Sequence, residues 1–323
     1  PVTVSRSFLT RCPAPQVRRA SPLTARGFVF DMVAVHEAQH NETVLQGLQM
    51  LPAGGYVPPR GESPDPPRPE RTAPRRLRVP GGAHAIGTDG ADGFAYDCER
   101  PAHRQGLAPF LIARHAVTES EWLEFVRDRG YTRPGLWSAA GLRWRDATGA
   151  AAPAYWSRDG EGGWTVRRFE CSAPPSDARA VCHVSAHAAD AFARWAGARL
   201  PSEAEWEAAA RWSRADERPG RIDQSGVGPG LGSPGPDSAC AGMIGDVWEW
   251  TSSDFDGYPG FRAFPYREYA EVFFGGGYRV LRGGSWATQS VEVSMAFRNW
   301  DLPQRRQIFS GLRLAWDDTG APA

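Results

Sequence analysis

The chain has 323 residues, and its 37 Lys plus Arg are balanced by 37 Asp plus Glu, so the formal net charge is zero. That balance gives no general electrostatic case for nucleic acid or an anionic membrane, and no apolar run approaches the roughly 20 residues a bilayer requires. Five cysteines (Cys12, Cys98, Cys171, Cys182, Cys240), odd in number and without C-x-x-C spacing, indicate neither a disulfide framework nor a thiolate zinc site.

Residues 1–27 contain no histidine, no sustained periodicity and no signal-peptide apolar core, so a soluble, cytoplasmic protein is the expectation. The chain opens on Pro1 instead of Met, which suggests processing or missing upstream sequence. Phe28 to Leu51 is predicted to form one helix of about 36 Å. Phe28, Met32, Val35, Gln39 and Val33, Leu45, Leu48 recur at helical spacing, and no proline intervenes before Pro52. His36 and His40 then stand one turn apart on a shared face, able to grip a single ion, whereas Glu37 and Glu42 fall off that face. A catalytic first-row metal usually takes three protein ligands, so this helix must borrow at least one. The bland alternative is a helix with two partly exposed histidines. The HEAQH string also matches the zinc-protease pattern, with Glu37 as general base. The second helix that such a protease needs is missing, because PAGGYVPPRGESPDPPRPERTAPRR follows Leu51 and cannot be helical.

Residues 52–76 are predicted to be a proline-rich, extended linker, and a second unit starts at Leu77. LRVPGGAHAIGTD is predicted as strand, turn, strand, and FAYDCERPAH as an irregular polar loop. Thr118 with Glu121 forms a capping box for a helix whose apolar face carries Trp122, Phe125 and Val126. Ser185 caps a second helix carrying Ala189, Phe192 and Trp195, stopped by Gly197, and Ser202 with Glu205 starts a third. Gly220 to Gly242 is a glycine-rich loop, and VWEWT, RVLRGGSW, VSMAFRNW and SGLRLAW are strand-like. Thirteen Trp, 36 Gly and 28 Pro describe a loop-rich body held by large aromatic anchors. Trp206, Trp248, Trp250 and Trp286 are expected in the core, with Gly283 and Gly284 where the backbone is tight.

CHVSAHAADAFARWAGARLPSEAEWEAAAR, GDVWEWT, VLRGGSW and GLRLAW resemble the formylglycine-generating-enzyme domain, which implies a C-type-lectin-like fold of the α+β class over roughly Leu77 to Asp318. Within that superfamily, HEAQHNET, FAYDCERPAH, YPGFRAFPYREYAEVFFG and FRNWDLPQRRQIFSG resemble hercynine oxygenases, the sulfoxide synthases of ergothioneine biosynthesis. The resemblance divides the chain into a remnant of a DinB-like helical bundle (1–51), the linker (52–76), the lectin-like domain (77–318) and a tail (319–323). Formylglycine generation itself is not expected, because no cysteine follows Cys240.

What that resemblance implies is an oxygen-dependent, iron(II) enzyme joining hercynine to a thiol, γ-glutamylcysteine or cysteine, as a monomer. His36 and His40 match two of the family's three iron-binding histidines. The third belongs to a bundle helix outside this chain, leaving His84, His103, His115, His183 and His187 as substitutes, with His103 taken as a structural loop residue. By the same match Gln39 reaches the hercynine carboxylate, Asn299 and Trp300 meet its trimethylammonium, and Asp301 and Arg305 hold the amino acid end of the thiol. An aromatic face suits a quaternary ammonium, which has no N–H to donate. A tyrosine serves the family as proton donor, and Tyr258 is the first candidate, with Tyr266 behind it. The alternatives are a catalytically inactive lectin-like binding module and a carbon–selenium bond-forming relative.

Overall fold

The computed structural model of the chain describes residues 22–59, 75–91, 93–232 and 238–320. Helix α1 (Phe28–Met50) starts beyond Gly27, whose left-handed backbone (φ 78°) turns the chain into it, and ends ahead of Pro52. Its buried residues are Val35, Ala38, Glu42, Leu45 and Gln49, a stripe repeating every three or four positions. Val33, expected on the apolar face, is 50% exposed instead. Two of the five buried positions are polar, so hydrophobic periodicity alone placed the face imperfectly.

Those two polar residues dock α1 on the body. Glu42 accepts from Trp248 Nε1 (2.8 Å), Ser285 Oγ (3.0 Å) and Thr288 Oγ1 (2.5 Å). Gln49 donates to the Arg167 carbonyl (3.0 Å) and accepts from the Phe169 amide (2.6 Å), while Arg167 donates back to the Gln49 carbonyl (2.9 Å). Among the described residues before Pro52, a single 3-10 turn (Ala25–Gly27) accompanies α1, too little to identify a bundle. Residues 1–21 and most of the expected linker, 60–74, lie outside the described part. The start of that linker is docked and not free, since Tyr56 packs edge-on against Phe169 with centroids 5.3 Å apart.

The body mixes short strands and helices. One sheet joins β1 (Arg76–Val79), β4 (Phe110–Ala113) and β12 (Ala315–Asp317), all antiparallel, with β4 in the middle. A second pairs β2 (Gly82–Ile86) with β3 (His103–Leu107), so the expected strand–turn–strand at Leu77 sends its two strands to different sheets. A third consists of β5 (Trp156–Arg158), β6 (Trp164–Arg168) and β7 (Cys171–Ala173). The central sheet has the order β10 (Asn299–Asp301), β9 (Arg279–Arg282), β8 (Trp248–Asp254), β11 (Ser310–Leu312). Its last pair, β11 on β8, is parallel, and at Gly311 any Cβ would lie 2.5 Å from the Val181 carbonyl oxygen. SGLRLAW is therefore two strands on two sheets. In VSMAFRNW only the last two residues, with Asp301, are strand.

The capping residues act as their spacing predicts. Thr118 and Glu121 form the reciprocal box at the start of α2 (Glu119–Arg127), Ser185 accepts from the Ala188 amide at α4 (Ala186–Trp195), and Ser202 with Glu205 starts α5 (Glu203–Trp212). A further helix, α3 (Ala139–Thr148), opens on Ser138 and stops at left-handed Gly149; its face AAGLRWRDAT is too weakly amphipathic to announce itself. Trp206 and Trp250 are fully buried and Trp248 and Trp286 nearly so. Gly283 has φ 98°, and a Cβ there would stand 2.3 Å from the Met243 carbonyl oxygen. Cys98, Cys171, Cys182 and Cys240 are free thiols. No helix among the described residues is long and apolar enough to cross a membrane.

Candidate active site at the junction of α1 and the central sheet

The 3.6-residue repeat brings His36 and His40 together on α1, with ring centroids 4.3 Å apart. The structure adds Glu37: one ligand atom from each of His36, Glu37 and His40 lies within 4.8 Å of the others. This corrects the expectation that Glu37 falls off the face of His36 and His40, because its flexible side chain brings the carboxylate back from a backbone position one residue away. Among the described residues it is the only group of three or more His, Cys, Asp or Glu side chains so placed. None of the possible substitute histidines joins it. His84 bonds the Pro80 carbonyl (2.9 Å), and His103 bonds that of Pro101 (3.1 Å) as a loop residue. Burial holds His115 down to about 4 and His183 to about 3, and lowers His187 as well; His183 is buried and the other two are partly buried.

Gln39 links this helix to the sheet edge. Its Nε2 donates to the Tyr269 hydroxyl at 3.1 Å. The Tyr269 ring stacks on Tyr96 (3.8 Å, 13°) and meets Trp300 at right angles (5.6 Å, 89°). Trp300 in turn stacks on Phe255 (4.0 Å, 9°), so one of its faces is taken up by packing. Asn299 Oδ1 accepts the Trp300 amide at 2.8 Å, Asp301 Oδ1 accepts that of Leu302 at 2.7 Å, and Arg305 Nε lies 3.7 Å from Asp301 Oδ2. The Asp301 carboxyl is raised above its ordinary range by burial, opposed by Arg305. The irregular FAYDCERPAH segment is turned inward, with Tyr96, Asp97, Cys98 and Glu99 all buried and Tyr96 stacked behind Tyr269.

Tyr258 lies elsewhere. Its hydroxyl donates to Glu203 Oε1 (3.1 Å) and accepts from Arg282 Nη1 (3.4 Å), and the Arg298 guanidinium lies 4.1 Å over its ring. Arg282 also reaches Glu207 (2.8 Å) and Arg298 also reaches Glu203 Oε1 (2.5 Å), so the hydroxyl closes a buried ionic network and makes no hydrogen bond or ring contact with α1. Tyr266 is 42% exposed. The tyrosine touching α1 is Tyr269, in the same YREY string as Tyr266. Neither spacing nor chemistry separates the three tyrosines Tyr258, Tyr266 and Tyr269 within twelve residues; only the partner on α1 does.

Comparison with known proteins places these observations. The sulfatase-modifying factor enzyme 1-like domain matches residues 62–223 and 237–318. A hercynine oxygenase of Mycobacterium tuberculosis is 42% identical over 318 residues, covering 92% of this chain and 73% of its own length. One from Mycolicibacterium thermoresistibile is 43% identical, covering 92% and 70%. Among solved structures, PvdO from Pseudomonas aeruginosa shares the fold at TM-score 0.51 and 20% identity, over 81% of this chain and all of its own.

Proposed function

This chain belongs to the hercynine oxygenase family within the sulfatase-modifying factor superfamily, and from that premise we propose that it uses iron(II) and O2 to join hercynine to a thiol, γ-glutamylcysteine, giving a sulfoxide. The observation that carries this is the Gln39–Tyr269 hydrogen bond, which ties the histidine-bearing face of α1 to the Trp300 edge of the central sheet.

Two imidazoles and a carboxylate within 4.8 Å are the donor set that a non-heme iron(II) accepts, so the residues fit the ion. His36 and His40 would hold it, with Glu37 within reach as a third donor. When bound, iron(II) supplies open positions for the thiol and O2 and lowers the thiol pKa. The protein's own groups orient and protonate. Gln39, one residue from His40, faces the carboxylate of hercynine. Trp300, with Tyr269 perpendicular to it, offers π density to the trimethylammonium. Asp301 and Arg305 match the two charges of an α-amino acid. Tyr269 is favoured over Tyr258 as proton donor: burial pushes its hydroxyl well above the usual phenol range, so it stays protonated and can donate without carrying charge into the site.

The test is anaerobic incubation of iron-loaded protein with hercynine and γ-glutamylcysteine, followed by air and mass spectrometry for the sulfoxide. Absence of product from protein that binds one equivalent of iron would overturn the assignment. Product from wild type with none from His36→Ala would support it. A selenosugar donor in a parallel reaction distinguishes the carbon–selenium alternative. An inactive module would bind no stoichiometric iron.

A further inference from the structure

Helix α1 carries two stripes. The buried one, Val35, Ala38, Glu42, Leu45 and Gln49, faces the body. The other, Phe30, Val33, Glu37, His40, Val44 and Gly47, lies about 150° round the helix and is exposed at every position among the described residues. Phe30 is 55% exposed, Val33 50% and Val44 60%, so three large apolar side chains stand in solvent on one face. Phe28–Met50 contains no Lys or Arg whose long side chain could shield them.

The steps along this exposed stripe are 3, 4, 3, 4 and 3 residues, the spacing of a coiled-coil seam. A seam requires a facing helix, and this stripe is complementary to itself. Against a second α1 running antiparallel, with the twofold axis between residues 38 and 39, Val33 meets the second copy's Val44. In the same register Phe30 meets the second copy's Gly47, and Glu37 meets its His40. Large then faces small, apolar faces apolar, and a carboxylate acceptor faces an imidazole that can donate. A parallel pair in register sets Glu37 on its own counterpart, a like-charge contact. Sliding the antiparallel pair by one heptad sets Val33 against Glu37, or Val44 against His40, and buries polar groups without partners. The register centred between 38 and 39 avoids both faults, and it leaves the two bodies on opposite sides of the helix pair because each body lies behind its own α1.

We infer that this face of α1 is the interface of a twofold-symmetric dimer of this chain, in which the second copy's Glu37 and His40 close over the outer side of the His36–Glu37–His40 donor set. The dimer departs from the monomer that the family resemblance implies, and it does not depend on the reaction proposed above. Sedimentation velocity of the metal-free full chain from about 1 to 100 µM tests it, a range that brackets the association expected of a small interface. Expected is a concentration-dependent shift to a species of twice the monomer mass. Val33→Glu, at an exposed position, should weaken association about a hundredfold by setting a carboxylate against Val44. Adding Val44→Lys should restore the dimer, because in the antiparallel register each new carboxylate faces a new ammonium, whereas a parallel pair would oppose like charges. A chain monomeric throughout would overturn the dimer and leave the stripe to a partner of different sequence. A dimer unaffected by Val33→Glu would place the interface elsewhere, and assemblies larger than two would exclude the closed twofold. Failure of the double variant to recover would overturn the antiparallel register.

Discussion

Glu42 is the joint through which the histidine-bearing helix α1 is held, and replacing it should separate helix docking from the stability of the body. Glu42→Ala strands the Trp248 indole N–H and the hydroxyls of Ser285 and Thr288, all buried and all now directed at the carboxylate. Each orphaned buried donor costs about 1–3 kcal/mol. Water entering the vacated polar volume recovers part of the sum, leaving about 3–5 kcal/mol, the range found when one partner of a buried charged network is removed. At about 2–4 °C per kcal/mol, the melting temperature should fall by roughly 6–20 °C. Glu42→Gln keeps one acceptor oxygen and should lose about half as much. Differential scanning calorimetry measures both, and anaerobic iron titration of the same variants should show affinity falling with helix docking. A Glu42→Ala protein melting within about 2 °C of wild type would refute the assignment of Glu42 as the anchor.

Tyr269→Phe should cut turnover by about a hundredfold while leaving the fold intact, whereas Tyr258→Phe should cost about 1–2 kcal/mol of stability by opening the Glu203–Arg282–Arg298 network and leave turnover per folded molecule nearly unchanged; steady-state kinetics paired with thermal melts separates the two. Gly283→Ala should destabilise by more than about 3 kcal/mol, seen in denaturant titration, because its Cβ would enter the Met243 carbonyl from a left-handed backbone. Glu292 is pushed up to about 9 by burial and then by the charge of Glu42. Its folded pKa thus exceeds the unfolded value near 4.5, so its contribution is fully present below about pH 4.5 and is lost as pH rises toward 9. Glu292→Gln should therefore gain on wild type between pH 5 and 9 at a slope of up to about 1.4 kcal/mol per pH unit; parallel pH–stability curves would exclude this.

Local chemistry made much of this legible. Caps at Thr118, Ser185 and Ser202 are written in three-residue spacings, and α1 follows from periodicity plus Pro52. Family strings placed the lectin-like body, whereas of the expected strand VSMAFRNW only Asn299 and Trp300, continued by Asp301, are strand. What stayed hidden depends on contacts between distant segments. Glu42 reads as a surface acid until Trp248, some 206 residues later, is brought against it. Tyr269 becomes a site residue only through Gln39, 230 positions earlier. The sheet β5–β7 and helix α3 lack strong alternation or amphipathic contrast, so their formation rests on tertiary packing that a linear pattern does not carry.

The parallel pairing of β11 with β8 and the antiparallel pairing of β12 with β4 mean that both sheets are completed by residues synthesised near the end of the described chain. A ribosome that has produced everything up to about residue 305 therefore presents a nascent body with two open flanks and the Trp248–Trp250 strand unguarded. Premature stops in that interval should yield chaperone clients or aggregates and no smaller working protein, even though every residue of α1 and the aromatic corner would already have been made.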